Sequence, residues 1–212
     1  MKKLIPILFA ALAFAACEKD ADLNKLDNEY LVITNYDKEA PFSSFHSYYM
    51  PDSILLITDK DEKEYWTSES SENAAEILAT FQTNMGRLYT EAPDKTKADV
   101  GLQISYVAST YYFTSWENNP WWYSYPSYWN YGYWGGWGGW YYPYPITFSY
   151  STGSFIAELV NLKSDDSSAS KKLNVVWSTD ISGLLNYNGS LSLSKTLNGI
   201  NQAFNQSPYL KK

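Results

Sequence analysis

The sequence predicts an α+β domain, a two-layer sandwich in which two helices cover one face of a mostly antiparallel β-sheet. Two observations predict the helices: apolar residues recur at three- and four-residue spacing from Ala74 to Leu88 and again from Leu193 to Phe204. A third observation predicts the sheet: the segments outside the helices and the polar loops are rich in β-branched and aromatic residues or alternate in polarity. Each helix has a single apolar stripe, and we expect both stripes to be buried against one face of the sheet.

The first half of the chain is predicted to contain three strands and a helix. Glu29–Tyr36 is β-branched and aromatic, and Ser53–Thr58 is a short apolar run, so both are predicted strands. Residues 70–73 offer N-cap side chains, and the helix that follows them is expected to end before Pro93. Apolar and small or polar residues alternate over 100–106, which predicts a strand with one buried face.

The second half is predicted to contain a β-hairpin and a terminal helix. Phe155–Leu162 and Leu173–Ser178 are predicted to pair across the polar loop Lys163–Lys172. Leu193–Asn205 carries the second amphipathic helix, which Pro208 stops. The predicted order is strand, strand, helix, strand, long loop, strand, strand, helix.

The long loop is an aromatic insert over residues 116–150. No charged residue occurs between Glu117 and Glu158, and seven of the nine tryptophans lie in the insert. Its glycines and prolines disfavour both a helix and a central strand. Irregular segments of about 30 residues inside a compact domain are uncommon and are usually functional or disordered.

Three interpretations of the insert stay open. Its rings pack over an open face or edge of the sheet. Alternatively, they form an interaction surface for another envelope protein or for the membrane interface. In the third interpretation they stack on the sugars of a glycan, although only Asn118, Asn119 and Asn130 could supply local amides. The candidate partner or glycan contacts are Trp121, Trp122, Trp129, Trp134, Trp137 and Trp140.

The N-terminus predicts secretion and a lipid anchor. Residues 1–16 have two lysines followed by an apolar run that is too short to span a bilayer, which is typical of a signal peptide. Residues 14–17 resemble a bacterial lipobox, so Cys17 is the predicted lipidation site and membrane attachment point. Residues 17–28 then form a polar tether, and 29–208 a single domain. The predicted location is the outer membrane, with the periplasmic or surface-exposed side left open.

The composition of the chain argues against several classes of function. The net charge of −7 and the lack of a Lys/Arg cluster argue against nucleic acid as a partner. One cysteine and one histidine, His46, leave little material for a metal site or for histidine-based catalysis, and no cofactor motif is present. We therefore expect a non-enzymatic protein without a cofactor. Catalysis by carboxylates alone, as in a hydrolase, is the alternative that needs only two acids.

Several short motifs together carry a resemblance to a known family. Ile33–Asp37, Phe42–Phe45 and Tyr48-Tyr49 combine an opening strand with a Phe-Ser-x-Phe segment. Ala98-Asp99-Val100 is an Ala-Asp step before a strand, and 153–177 is a predicted closing hairpin with a tryptophan on the last strand. These motifs resemble a bacterial lipoprotein family of the Bacteroidetes type, the domain of unknown function DUF4136. The resemblance implies a cell-envelope location and the α+β fold. It implies no activity and no catalytic residue.

Together these observations predict a cell-envelope lipoprotein that acts as a structural or interaction module through its aromatic insert. A glycan-binding lipoprotein is the alternative.

Overall fold

The computed structural model describes residues 30–58, 64–108, 140–145, 151–163 and 172–211. Its two helices are α1 (Glu72–Gly86) and α2 (Leu193–Asn205). Its strands are β1 (Leu31–Tyr36), β2 (Ser47–Tyr49), β3 (Ser53–Ile57), β4 (Glu64–Thr67), β5 (Thr90–Glu91), β6 (Val100–Val107), β7 (Trp140–Tyr141), β8 (Ser154–Asn161) and β9 (Leu173–Ser182). Within this part of the chain, no helix is long and apolar enough to cross a membrane.

The strands form one mixed sheet in the order β1-β9-β8-β6-β2-β5. In addition, β3 pairs with the second half of β6, β4 pairs with β3, and β7 pairs with the start of β9. Along the run β1-β9-β8-β6, each strand pairs antiparallel with the next. The short strands β2 and β3 both pair parallel with β6, at its two ends. The predicted α+β class, with a mostly antiparallel sheet, is confirmed.

Each helix begins directly after a serine that caps it, and Ser71 is one of the cap candidates predicted at residues 70–73. Ser71 accepts a hydrogen bond from the backbone N–H of Ala74, and Ser192 accepts one from that of Lys195. Each bond satisfies one of the N–H groups that a helix leaves open at its first turn. The predicted helix Leu193–Asn205 has the observed bounds, and the first helix ends at Gly86, inside the predicted limit.

Both helices lie on the same face of the sheet, called here the helix face. Phe81 of α1 meets Phe204 of α2 with 6.2 Å between ring centroids, and Phe204 lies 5.4 Å from the ring of Trp177 in β9. The Trp177 indole also donates a hydrogen bond to the Ser207 hydroxyl at 2.9 Å. This face therefore carries the main core, with the aromatic side chains interlocked across both layers.

Four strands were not predicted from the sequence: β2, β4, β5 and β7. Each has two to four residues, which is too short for a periodic pattern, and their pairing depends on neighbours distant in the chain. The predicted single buried face of 100–106 was wrong, because both faces of β6 are covered and Gly101 and Ser105 are buried. The opposite face of the sheet, called here the polar face, is therefore also an interior surface.

Candidate functional site

Most of the predicted site residues lie outside the described part of the chain. Cys17 is one of them, and the tryptophans at positions 121, 122, 129, 134 and 137 are the others. Trp140 is described: it forms β7 with Tyr141 and pairs parallel with Leu173 at the start of β9. Only 3% of its surface is exposed, whereas Tyr141 is 51% exposed. The prediction that the other five rings contact a partner stays a prediction.

Residues 140–145 form the returning arm of the insert, and this arm is built into the domain. Asn174 of β9 pairs with both Tyr141 and Asn161 of β8, so the arm lies on the side of β9 that β1 occupies further along. The Tyr144 hydroxyl then reaches the Ser178 hydroxyl of β9 at 3.5 Å, and burial raises the pKa of Tyr144. The arm thus runs along β9 and contributes side chains to the polar face.

The polar face holds two buried acids. Glu158 of β8 pairs in register with Ser178 of β9 and with Gln103 of β6, while Asp180 pairs with Ile156. Glu158 and Asp180 are 0% and 1% exposed. Because partners in an antiparallel pair share a face, Asp180 is the diagonal neighbour of Glu158, and diagonal neighbours are typically about 7–8 Å apart.

Burial changes the protonation of Glu158. Removal from water disfavours the charged carboxylate and raises the pKa of Glu158 to about 8. The carboxyl is therefore mainly protonated at neutral pH and can donate a hydrogen bond as well as accept one. A raised carboxyl pKa is also what a general acid needs. Here, however, the group lies in the interior of the sheet rather than in a cleft.

Sequence reasoning missed this pair of acids. The signal was present in Glu158, the single charge in the run from Phe155 to Val160, and in Asp180, which lies within the buried stretch of β9. A strand that is apolar on both sides is expected to be covered on both sides. A lone acid in such a strand is therefore expected to be buried, whereas the acids in the turns are solvated.

His46 lines an open cleft of about 680 Å³ at the end of the sheet where β6 begins, beside the end of α1 and the edge strand β5. The exposed polar side chains there also include Gln82, Arg87 and Glu91. The Gln82 amide donates to a Glu91 carboxylate oxygen at 2.9 Å. The cleft therefore carries charges of both signs.

Asp99 fixes the backbone that carries His46. One carboxylate oxygen of Asp99 accepts hydrogen bonds from the backbone N–H groups of His46, at 2.6 Å, and Ser47, at 3.1 Å, and the other forms an ion pair with Lys163. Burial raises the pKa of Asp99, but the hydrogen bonds from Lys163, His46 and Ser47 outweigh it and hold the pKa below its usual range.

The two sequence motifs near Phe45 and near Asp99 thus meet in space. The contacts between these two motifs stabilise the fold. Among the described residues, no group of three or more His, Cys, Asp or Glu side chains could hold a metal ion.

The fold and these contacts define a class of protein: an α+β sandwich with a buried polar sheet face, in which the returning arm of an aromatic insert pairs with β9. The model of the family described as Domain of unknown function (DUF4136) matches residues 32–209, and the chain belongs to this family. The predicted resemblance is confirmed.

The chain is similar to the crystal structure of a DUF4136 family protein from Bacteroides thetaiotaomicron, with 49% sequence identity and a TM-score of 0.78. The match covers 86% of this chain and 97% of that one. A PelC dodecamer from Paraburkholderia phytofirmans matches at 12% identity and a TM-score of 0.37, covering 86% of this chain and 98% of that one. No curated protein matches the chain.

Proposed function

We propose that this protein is an outer-membrane lipoprotein, anchored through Cys17, whose domain is a non-enzymatic interaction module. The aromatic insert is the interacting element, and its partner is another envelope protein. The observation that carries the proposal is the docking of the returning arm: Trp140 and Tyr141 pair with β9, and Tyr144 contacts Ser178. A segment fixed to the sheet in this way has a defined place on the domain.

Two further features support the proposal. The insert combines seven tryptophans with no charged residue from 118 to 157, and large aromatic side chains dominate the energetics of protein interfaces. The buried acids Glu158 and Asp180 lie within the sheet, so substrate would not reach them without opening the polar face. This favours binding over catalysis by carboxylates.

The test uses a deletion that preserves the docked arm. Residues 120–139 are replaced by a short Gly/Ser linker, so that Trp140 to Pro145 still pair with β9. We expect chemical cross-linking in cells to capture a discrete partner with the native chain and to lose it with the deletion. Thermal unfolding of the purified variant then shows whether the domain is intact.

A matched control separates interaction from packing. Trp121, Trp122, Trp129, Trp134 and Trp137 are changed to serine in one variant, and Trp140 alone is changed to serine in another. Loss of the cross-linked species in the first variant, at an unchanged melting temperature, supports the interaction role. A large fall in the melting temperature of the first variant would instead assign those rings to the core and overturn the proposal.

Two separate measurements test the glycan-binding alternative and the lipid anchor at Cys17. Tryptophan emission that shifts with a polysaccharide, without a cross-linked protein partner, would favour glycan binding over a protein partner. Palmitate incorporation that is lost in Cys17→Ala would support the anchor, whereas incorporation that persists in this variant would contradict it.

A further inference from the structure

Several connections of the chain come together at one end of the sheet, called here the tether end. Leu31, the first residue of β1, pairs with Ser182, the last residue of β9. Beside them, β8 begins at Ser154, which pairs with Val107, the last residue of β6. The segment from Cys17 therefore enters the domain at this end. The long β6–β8 connection that contains the aromatic insert also begins and ends here, although its residues 140–145 run along β9 from the opposite end.

A structured turn extends from the tether end over residues 183–191. Leu185 and Leu191 form a β-bridge at its base, and the Asn186 N–H donates to the Ser190 carbonyl at 2.8 Å. At its apex, the Asn188 side-chain oxygen accepts a hydrogen bond from the Ser190 N–H at 3.1 Å. The base also packs tightly, since a Cβ on Gly153 would lie 2.4 Å from Leu185 Cγ. The turn is thus held in one shape by the chain itself.

This turn holds an aromatic ring in solvent. Tyr187 is 93% exposed, the largest value among the exposed large hydrophobic residues of the described chain, and Leu31 at the same end is 48% exposed. Exposed single apolar residues are normal on protein surfaces. Tyr187 differs from such scattered residues because a hydrogen-bonded turn holds it in solvent next to the point where the anchored segment enters the domain.

The turn itself carries no charge, whereas Asp27 and Glu29 precede Leu31 in the sequence. No acidic residue occurs after Asp180, although the chain as a whole carries −7. The turn is therefore free of carboxylates that anionic headgroups would repel. β3 ends and β4 begins at the tether end as well, on the opposite flank of the sheet, and the acid-rich sequence 59–63 joins these two strands.

We propose that the corner formed by Leu31 and the turn 183–191 rests on the bilayer, with the Tyr187 ring at the level of the lipid headgroups. Tyrosine suits this depth because its ring is apolar and its hydroxyl is polar. The proposal rests on the proposed lipid anchor at Cys17. Fourteen peptide steps separate Cys17 from Leu31, which limits the separation of the two residues to about 50 Å.

Because the anchor holds the domain at the membrane, a weak contact between Tyr187 and the lipid is sufficient to orient the domain. A tethered domain meets the membrane at a high effective concentration, so a single aromatic side chain can set its orientation without binding lipid strongly by itself. In this orientation the tether end faces the bilayer. The cleft beside His46, at the opposite end of the sheet, then faces away from the membrane.

The experiment measures the depth of single positions in the full-length, lipidated chain. Tyr187→Cys, Leu31→Cys and Tyr141→Cys are each labelled with an environment-sensitive fluorophore and reconstituted into phosphatidylethanolamine/phosphatidylglycerol vesicles. Tyr141 is the matched control: it is also an exposed tyrosine, but it pairs with Asn174, eight residues before Ser182 along β9, or roughly 27 Å away. The native Cys17 is blocked by its lipid in this preparation.

We expect a lipid-borne quencher to reduce emission from positions 187 and 31 and to leave emission from position 141 unchanged. Equal quenching at all three positions, or none at 187, in vesicles that carry the protein would overturn the proposed orientation while leaving the anchor in place. Failure of the chain to float with the vesicles would overturn the anchor and the orientation together. An unquenched label at 187, combined with a discrete cross-link from this position to a protein in cells, would assign the turn to a protein partner instead.

Discussion

The two faces of the sheet are both buried, but they are built from different side chains. The helix face is apolar, with Trp177, Phe81 and Ile104 all fully buried between the sheet and the helices. The polar face places Ser105, Glu158 and Asp180 in an equally dry environment. The helix face thus gains free energy from removing apolar area from water, whereas each polar group on the other face must recover its lost hydration through hydrogen bonds.

This difference indicates a division of roles within one domain. The helix face holds the fold together, because its contacts join β9, α1 and α2 through interlocking rings. The polar face makes stability sensitive to pH and gives the returning arm of the insert polar groups to contact, as Tyr144 does at Ser178. Substitutions on the helix face should therefore change stability at every pH, and those on the polar face should change it in a pH-dependent way.

The largest effect is expected from Trp177→Ala on the helix face. The substitution removes a fully buried indole, its contact with Phe204 and its hydrogen bond to Ser207. We expect the free energy of unfolding to fall by about 3–5 kcal/mol, measured by denaturant titration. Trp66→Ala, at a partly buried residue stacked on Tyr106 of the same face, should have a smaller effect; an equal or larger effect would contradict the central place of Trp177 in this core.

The polar face should make stability fall as pH rises. Glu158 has an ordinary pKa near 4.5 and a folded-state pKa near 8. Between these values the unfolded chain releases a proton that the folded chain retains. The free energy of unfolding should therefore decrease on the order of 1 kcal/mol per pH unit over this window and level off above it.

Glu158→Gln tests the assignment of this slope to one residue. The amide keeps the shape of the protonated carboxyl and does not titrate, so unfolding titrations of the variant from pH 5 to pH 9 should lack the Glu158 component of the slope. Glu76→Gln, at an exposed residue of α1, is the control and should retain it. An unchanged slope in the Glu158 variant would show that another group carries the pH dependence.

Asp99 should show the opposite pH dependence on a smaller scale. Its carboxylate is stabilised by three hydrogen-bonding groups, so its folded-state pKa is lowered. Its contribution is present above its unfolded pKa and is lost as pH falls through the folded value. Asp99→Ala should lower the free energy of unfolding at pH 7 by about 1–3 kcal/mol, and amide hydrogen exchange should speed up at His46 and Ser47. Unchanged exchange at both residues would contradict this role.

The smallest effects should come from two buried serines that differ in their partners. Ser207 on the helix face accepts from the Trp177 indole and from the Tyr209 hydroxyl and donates to the Ala203 carbonyl. The Ser105 hydroxyl on the polar face has no hydrogen-bond partner within the described ranges. Ser207→Ala should cost about 1–2 kcal/mol, and Ser105→Ala should be neutral or stabilise by up to about 1 kcal/mol. Melting temperatures of the two variants give the comparison, and a large loss in Ser105→Ala would reveal a partner for that hydroxyl.

The sequence predicted the elements whose pattern is local and long enough to read. Helix α2 was predicted with its observed bounds because its apolar stripe lies within one continuous segment that Pro208 follows. The hairpin of β8 and β9 was predicted from two β-branched runs on either side of a polar loop. The family was indicated by motifs such as Ala98-Asp99, whose structural purpose the sequence did not reveal.

The candidate site was less accessible from the sequence. The predicted contacts were chosen by residue type, and they are all aromatic, although burial depends on where the chain places each ring. Trp140 shows the difference, since it is a buried strand residue beside Leu173. The exposed ring at Tyr187 was not singled out, because an isolated tyrosine in a polar turn has no pattern around it.

By itself, the sequence determined the α+β class, the two helices and their faces, the main hairpin, the aromatic insert and the family, since local periodicity, composition and short motifs specify these features within short stretches of chain. Only the tertiary structure decided that both sheet faces are buried, that Glu158 and Asp180 are neighbours, and that Leu31, the turn 183–191 and both ends of the long β6–β8 connection share one end of the sheet. The physical reason is that strand pairing joins residues far apart in the chain, and no local pattern records which strands will be adjacent.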